Sequence, residues 1–483
     1  MVVTMEQLRT PLYEKLIFHK EAIPISLHVP GHKNGAVFPF EGAVSFKELL
    51  KLDVTELTGL DDLHSPEGVI RESEQLLAGL FGVCRSFFLV NGSTVGNLAM
   101  IMAALDEEDT VLVQRNCHKS ILNGLQLVNA DPVFISPEFD EDWQVAGGLS
   151  FEAVQAAIKK YPNAKALIVT YPNYYGMVYE LGRIIRLAHG HNIPVLVDEA
   201  HGAHFIAGEP FPSSAVTFGA DVVIQSAHKT LPAMTMGSFL HFNSKLIALN
   251  DIEKYLHILQ SSSPSYPIMA SLDIARCYLS SINKNDLVYL QEQINIFKIH
   301  LSNLSGIKVL SYPNNQGDLL KITIQSTNSL SGFNLQKILE GQGIFAELAD
   351  PFNLLFIIPL LKEGMEYPFN EVIVRMKTAL SDNAVPTKEM EKELVPYQKK
   401  DLAKLSLNYK EMKKRNNKRV PLLEAIGAIS AEMIIPYPPG IPLLFPGEMI
   451  MEADIHHIQW LLEKGTRFQG GEILRQGFIS IFI

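Results

Sequence analysis

The chain contains 483 residues, of which 47% are hydrophobic and 19% are charged. This composition is ordinary for a globular protein and excludes a chain that is mainly disordered, collagen-like or coiled-coil. Its 41 lysines and arginines against 52 aspartates and glutamates give a net charge of −11, which argues against general binding of nucleic acid or other polyanions.

The cysteine content and the lengths of the apolar runs indicate the cellular compartment of the protein. The three cysteines, Cys84, Cys117 and Cys277, include no Cys-x-x-Cys pair, and three cysteines cannot all pair within one chain. A reducing compartment therefore fits best. The chain start lacks a secretion-signal pattern, and the apolar run from Leu354 to Leu361 is far shorter than the roughly 20 residues that span a bilayer. We expect a cytoplasmic protein without a membrane partner.

From about residue 75 to 230, short apolar strands alternate with helices. The predicted helices are Glu72–Leu80, Thr94–Leu105, Phe151–Lys160 and Arg183–His189. The predicted strands are Ser86–Val90, Thr110–Gln114, Ala166–Thr170, Pro194–Val197 and Asp221–Gln225. Continuous apolar strands separated by helices are typical of a sheet that is covered on both faces. The pattern therefore predicts an α/β fold with a mostly parallel sheet.

The second half of the chain begins with helices and ends in a region of different composition. Predicted elements are the helices Asn250–Gln260 and Met269–Ser281, an amphipathic stretch to Leu304, the strand Leu319–Ile324, the helix Asn334–Gln342 and the strand Leu354–Ile358. Residues 399–419 then hold nine lysines and arginines, which we interpret as a solvated helix face rather than a nucleic-acid patch. We expect three domains, at residues 1–300, 301–380 and 381–483.

Four polar groups follow predicted strands, at the sheet edge where open α/β proteins bind ligands. The first, Asn91–Asn97, has glycines and hydroxyls at a helix start, and suits either a phosphate or a plain N-terminal cap. The second carries His118, and a lone histidine in such a place is more often structural than functional. The fourth carries Lys229, which is either a surface lysine or a Schiff-base amine.

The third group, Val197–His204, places two acids and two histidines after an apolar strand, where burial is costly without partners. A metal site is conceivable, but the glycine-rich spacing does not put the ligands on one helix face, so we expect no metal. Together the four groups match a pyridoxal 5′-phosphate (PLP) site. Lys229 would hold the aldehyde, Asp198 would pair with the ring nitrogen, His118 would cover one ring face, and the small Ala200 would leave room on the other.

Segments along almost the whole chain carry a family resemblance. They are His28–Gly35, Leu60–His64, Gly92–Thr94, Asn116–Ser120, Val197–Gly202, Ser226–Lys229, Ser261–Tyr266, Pro436–Pro442 and Pro446–Glu448. With these segments the sequence resembles the fold-type I ornithine/lysine/arginine decarboxylases, in particular the shorter bacterial form without an N-terminal wing. The resemblance implies an aspartate aminotransferase-like large domain with smaller α/β C-terminal domains.

The resemblance also implies roles for the matching residues. Lys229, Asp198 and His118 keep the PLP roles given above, and His201 lies near the cofactor as a catalytic residue whose individual role stays open. The phosphate would be held by Ser93, Thr94, Ser226 and His228, with Ser262 reaching the phosphate of a neighbouring subunit. The last contact implies a homodimer, or a higher homo-oligomer, with active sites at the subunit interface.

The implied reaction is decarboxylation of a basic amino acid, which releases CO₂ and a polyamine-type amine. Arginine is the favoured substrate, followed by lysine and ornithine, with Glu448 and His32 as candidate substrate contacts. The structural alternative is that His28 and His32 brace a loop. At Ala203 the sequence differs from the longer members of the family, so the resemblance does not decide which basic amino acid is the substrate.

Three alternatives share parts of this pattern. Another fold-type I enzyme, an aminotransferase or a lyase, would need the same Asp198 and Lys229. A non-catalytic homologue that binds PLP and regulates a partner is the second. A dinucleotide site at Gly341–Ala346 is the third, although this segment follows a predicted helix and fits a helix C-terminal turn better.

Overall fold

The computed structural model describes residues 5–312, 316–328, 330–382, 402–437 and 441–483. Two compact units are present. The first comprises Met1–Ala103, Pro194–Glu209 and Ser213–Asn283, and the second comprises Ala104–Ile193, Pro210–Pro212 and Lys284–Ile483. The division into three domains that we drew from the sequence stays a prediction.

Helices and strands alternate along most of the described chain. The helices are α1 Pro11–Glu21, α2 Phe40–Leu50, α3 Val69–Phe81, α4 Gly92–Ala104, α5 Lys119–Val128, α6 Phe151–Lys160, α7 Leu181–Gly190, α8 Ala227–Thr230, α9 Leu249–Leu259, α10 Tyr266–Ser280, α11 Lys284–Ser302, α12 Gly332–Glu340, α13 Phe369–Asp382, α14 Tyr409–Met412 and α15 Glu452–Glu463. The strands are β1 Arg85–Leu89, β2 Thr110–Gln114, β3 Asp131–Ile135, β4 Phe139–Asp140, β5 Val145–Ala146, β6 Leu167–Thr170, β7 Val195–Asp198, β8 Val222–Gln225, β9 Ser238–Phe242, β10 Ile307–Val309, β11 Lys321–Ser326, β12 Leu348–Ala349, β13 Asn353–Ile357, β14 Leu402–Lys404, β15 Asn417–Pro421, β16 Ile435–Tyr437, β17 Arg467–Gln469 and β18 Phe478–Phe482.

The first unit contains four paired strands in the order β1, β9, β8, β7. β7 and β8 run parallel, with Asp198 opposite Ile224, whereas β9 runs antiparallel to both β8 and β1. All residues of these four strands are buried, which explains why their sequences are mostly apolar. Because β7 and β8 are parallel neighbours, the segments that follow them leave the sheet at the same edge.

The second unit contains a set of strands in the order β6, β2, β3, β14 and a smaller antiparallel sheet in the order β10, β11, β13, β12. β2 is parallel to β3 and β6, and β14 adds antiparallel to β3. Helices α11 and α12 contact the smaller sheet. The last part of the chain forms two strand pairs, β15 with β18 and β16 with β17, next to a core that includes Ile434, Leu444, Ile455 and Ile479.

These elements confirm the predicted α/β class, and the Gly341 segment is indeed the C-terminal turn of α12. The interpretation of the basic run as a helix face is wrong for its described part, which holds β14, the single turn α14 and the start of β15. The reason is that Leu402–Lys404 pairs with β3, and that Lys404 and Lys410 form exposed ion pairs with acidic side chains of the same unit.

Across the described ranges, we find no helix whose length and apolar content would allow it to cross a bilayer. The same residues contain no group of three or more His, Cys, Asp or Glu side chains that could hold a metal ion.

Candidate active site

Lys229 lies in α8, four residues beyond the end of β8. Its Nζ is 3.0 Å from Nε2 of His201, which is buried in the turn that follows β7. Both residues belong to the first unit. An amine and an imidazole at this distance can exchange a proton directly.

Asp198, the last residue of β7, is buried with 3% of its surface exposed. Its Oδ2 accepts a hydrogen bond from Asn97 Nδ2 at 3.0 Å, and its Oδ1 accepts one from the backbone N–H of Ala200 at 3.2 Å. Both bonds hold the carboxylate in a fixed orientation, as a pairing partner for a cationic ring nitrogen requires. Asn97 ends the first polar group predicted from the sequence, but its hydrogen bond to Asp198 was not predicted, although a polar residue in the apolar helix Gly92–Ala104 was a signal.

The amino end of α4 carries Ser93 and Thr94 and follows a tight turn in which Gly92 has a φ of +80°. Gly96 allows α4 to lie close to the strands, because a Cβ there would be 2.7 Å from Leu89 Cδ1 and 3.0 Å from Ile224 Cδ1. The start of this helix is therefore packed against the ends of β1 and β8. A helix amino terminus with two hydroxyls can bind a phosphate.

Ser226 and His228 lie between β8 and Lys229. The Ser226 hydroxyl is buried and has no hydrogen-bond partner among the residues that the structure describes, and the same holds for the Thr230 hydroxyl. His228 Nδ1 is 3.1 Å from the Gly237 carbonyl oxygen, to which it can donate. A buried hydroxyl without a partner is costly. A phosphate oxygen at Ser226 would remove this cost, so the residues present fit the predicted cofactor.

Ser262 lies in an exposed stretch near the start of α4. The neighbouring Ser261 donates its N–H to Asn91 Oδ1 at 3.0 Å, and its carbonyl is 2.8 Å from His64 Nε2. These two contacts hold the Ser262 segment beside the turn that precedes Ser93. Its predicted contact with a neighbouring subunit stays a prediction.

His118 belongs to the second unit, where it forms the N-terminal cap of α5. Its Nδ1 accepts the N–H of Ser120 at 3.3 Å and lies 2.8 Å from the Ser120 hydroxyl. With Nδ1 as acceptor, the proton of the neutral ring lies on Nε2. The cap holds an exposed imidazole in one orientation, which suits the predicted stacking role.

Glu448, also in the second unit, is 3% exposed and forms a bidentate ion pair with Arg115, at 2.6 and 2.9 Å. Glu448 Oε2 also accepts the Phe445 N–H at 3.1 Å, and Arg115 lies 4.5 Å from the Phe445 ring centroid. A substrate cation would have to compete with Arg115 for this carboxylate. Arg115 was not singled out from the sequence, because its partner is 333 residues away.

His32 is placed in the first unit, between Asp53 and Gly35. Its Nε2 is 3.1 Å from Asp53 Oδ2, and its Nδ1 accepts the Gly35 N–H at 3.3 Å. Both ring nitrogens therefore brace the loop after His28. This geometry favours the structural alternative for His32, and its substrate contact stays a prediction.

The chain is similar to known proteins of one enzyme family. The family model described as the Orn/Lys/Arg decarboxylase major domain matches residues 10–317, and the model of the C-terminal domain matches residues 388–479. The uncharacterized protein YaaO of Bacillus subtilis (strain 168) is 44% identical over 99% of both chains. An arginine decarboxylase of the same organism is 33% identical over 97% of this chain and 96% of its own.

Among solved structures, the lysine decarboxylase LdcF of Francisella novicida has a TM-score of 0.80 at 22% identity, covering 99% of this chain and 81% of its own. This likeness confirms the predicted fold. The family models and the relatives confirm the predicted enzyme class. The chain thus carries both domains of a known enzyme family along nearly its entire length, and it belongs to the Orn/Lys/Arg decarboxylases.

Proposed function

We propose that this enzyme uses PLP to decarboxylate arginine, releasing CO₂ and the corresponding amine. The observation that carries the proposal is the pairing of Lys229 with His201 in the same unit as the buried, oriented carboxylate of Asp198. Arginine is preferred over lysine and ornithine because the relatives named arginine decarboxylase are 31–33% identical, whereas those named lysine decarboxylase are 23–24% identical.

The residues that would hold the cofactor are those that the family resemblance assigns. Lys229 would bind the aldehyde and Asp198 the ring nitrogen, while the remaining contacts would come from Ala200, His118, Ser93, Thr94, Ser226, His228 and the partner's Ser262. When bound, PLP supplies a cationic aromatic ring that can accept the electrons of the breaking bond between Cα and the carboxylate. The buried hydroxyl of Ser226 supports a phosphate at this place.

The protein's own groups would orient the substrate and return a proton. Asp198, fixed by Asn97 and Ala200, would keep the ring nitrogen protonated. As CO₂ leaves, Cα needs one proton, and Lys229 Nζ or His201 Nε2 can provide it, because the two nitrogens are 3.0 Å apart and can pass a proton between them. The group that gave the proton is then reprotonated from solvent, so that one proton is consumed for each CO₂ released.

We further propose a homodimer in the cytoplasm. Three large apolar side chains in one short segment are 85–92% exposed, those of Ile23, Ile25 and Leu27. Exposed apolar side chains that lie close together are typical of a surface that a second subunit covers. None of the three cysteines, all of which lie in the described ranges, forms a disulfide, which suits a reducing compartment. Sedimentation of the purified protein at micromolar concentration tests the dimer, and a monomer would contradict it.

The substrate is tested by incubating the PLP-loaded protein separately with arginine, lysine and ornithine. We expect CO₂ and the amine from arginine, with slower or no release from the other two. A keto acid in place of CO₂ would identify an aminotransferase. Cofactor binding without turnover of any amino acid would identify a regulatory homologue. The Lys229→Ala variant, which lacks the amine, is the control for uncatalysed release.

A further inference from the structure

Four buried polar side chains form a continuous hydrogen-bonded row across the first unit. Ser86 on β1 is 2.8 Å from His241 on β9, His241 is 3.1 Å from Gln225 on β8, and Gln225 is 2.6 Å from Glu199, the residue after β7. None is more than 1% exposed. The row follows the order of the strands, β1, β9, β8, β7.

The hydrogen bonds of this row have one consistent direction. Gln225 Nε2 donates to Glu199 Oε2, so Gln225 Oε1 faces His241 and accepts from its Nε2. His241 Nδ1 is then the acceptor for the Ser86 hydroxyl. Burial lowers the pKa of His241 to about 3, so its ring is neutral and carries the single proton that this arrangement needs. The Phe81 ring stacks on the His241 imidazole, with 4.0 Å between the two ring centroids, and this contact holds the imidazole in its orientation.

Glu199 connects three parts of the first unit. Besides Gln225, its carboxyl group accepts hydrogen bonds from the Ser214 hydroxyl and the Ala215 N–H, both at 2.7 Å. Burial raises the pKa of Glu199 to about 7. A fully buried carboxyl group with three donors is costly to disturb, because each donor left unpaired loses free energy.

The Glu199 contacts fix both segments of the candidate active site. The turn that carries His201 closes on Glu199, since Gly202 donates its N–H to the Glu199 carbonyl at 2.9 Å. A Cβ at Gly202 would be only 2.7 Å from Glu199 Cγ, so the turn lies directly against this side chain. On the other side, Gln225 is followed by the segment that carries Lys229.

We propose that Glu199 is a positioning residue, which holds His201 against Lys229 by tying the turn after β7 to the end of β8 through Gln225. This rests on the proposed function for the roles of His201 and Lys229. Glu199 itself need not touch substrate or cofactor.

The test is Glu199→Gln, which keeps the size of the side chain but cannot accept from all three donors. In the PLP-loaded variant we expect kcat to fall about 10- to 100-fold with KM changed by less than about threefold, because the reacting groups are misplaced while binding is kept. The pH midpoint of the visible PLP absorption should shift by at least about half a unit. In the cofactor-free protein, Lys229 should react at least about three times faster with an amine-selective reagent, because an amine no longer held by His201 is freer to react.

Glu74→Gln is the matched control, since Glu74 is equally buried in the same unit, and burial likewise raises its pKa to about 7. Its partners are Arg85 and the N–H of Phe88, outside the row. This variant should leave the Lys229 labelling rate and the PLP absorption unchanged. Equal effects in both variants would overturn the proposal, because they would reflect loss of stability alone.

A double-variant cycle tests whether Glu199 acts through His201. In cofactor-free protein, Glu199→Gln combined with His201→Ala should label Lys229 at the rate of His201→Ala alone. Additive rates would overturn the positioning role. If the wild-type protein shows neither PLP absorption nor CO₂ release, the proposed function fails, while the labelling rates still decide the link between Glu199, His201 and Lys229.

Discussion

The ion pair between Arg115 and Glu448 permits a prediction that separates two roles of the glutamate. The side chains are 14% and 4% exposed, and two parallel hydrogen bonds join them. If the pair is structural, Glu448→Gln leaves the Arg115 guanidinium buried against a neutral amide. If Glu448 binds the distal cation of the substrate, the same change mainly weakens substrate binding.

We expect the structural outcome, because both carboxylate oxygens are already engaged by Arg115. Removing one partner of a buried ion pair costs about 3–5 kcal/mol. The partial exposure of Arg115, and its remaining contact with the Phe445 ring, place the expected loss near the lower end, about 3 kcal/mol. The measurement is the urea dependence of unfolding of the cofactor-free protein, together with hydrogen exchange in residues 443–448.

The control is the double variant Arg115→Met with Glu448→Gln, which removes the charge that the single change leaves unpaired. It should be more stable than Glu448→Gln alone, since an apolar replacement of a buried pair is often close to neutral. Unaltered unfolding of Glu448→Gln, combined with a large rise in the KM for arginine, would refute this reasoning and restore the substrate contact predicted from the sequence.

Other predictions concern the first unit. Lys229→Ala should lose both the visible absorption of bound PLP and all turnover, measured by spectroscopy and CO₂ release; full activity would contradict the assignment. Asp198→Ala should retain some PLP but lose most activity, because nothing then keeps the ring nitrogen protonated; wild-type rates would exclude this role. Glu199, with its pKa raised by burial from 4.5 to about 7, binds its proton more tightly in the folded state. The free energy of unfolding of the wild type, compared with that of Glu199→Gln at the same pH, should therefore fall by about 3 kcal/mol as the pH rises from about 4.5 to 7. Urea unfolding of both proteins across this pH range is the measurement.

Local sequence signals predicted several of the observed elements. Thr110–Gln114 and Phe151–Lys160 were predicted with the observed bounds. The first is an apolar run between polar residues, and the second has Ser150 as an N-terminal cap, whose hydroxyl accepts the Ala153 N–H. Lys229 and Asp198 could be singled out because each follows an apolar strand within a few residues.

Features that depend on distant partners were not visible in the sequence. The strand β9 was missed, and with it the antiparallel pairing to β1 and β8, because an apolar run does not reveal its direction. β15 is mostly exposed and is stabilised by β18, about 60 residues later, so it has no apolar pattern of its own. Arg115 and Gln225 were overlooked as site-supporting residues for the same reason, since their roles depend on Glu448 and on Glu199.

The geometry of the site depends most directly on the register between β7 and β8. Asp198 lies opposite Ile224, and the Glu199 N–H donates to the Ile224 carbonyl at 2.8 Å. A shift by one residue would turn Asp198 to the other face of the sheet and break its contact with Asn97. Two apolar strands resist such a shift only weakly, because valine, leucine and isoleucine pack acceptably in either register. The buried hydrogen bond from Gln225 to Glu199 can form in one register alone, so the polar row specifies the alignment that brings the segments of Asp198 and Lys229 to the same edge.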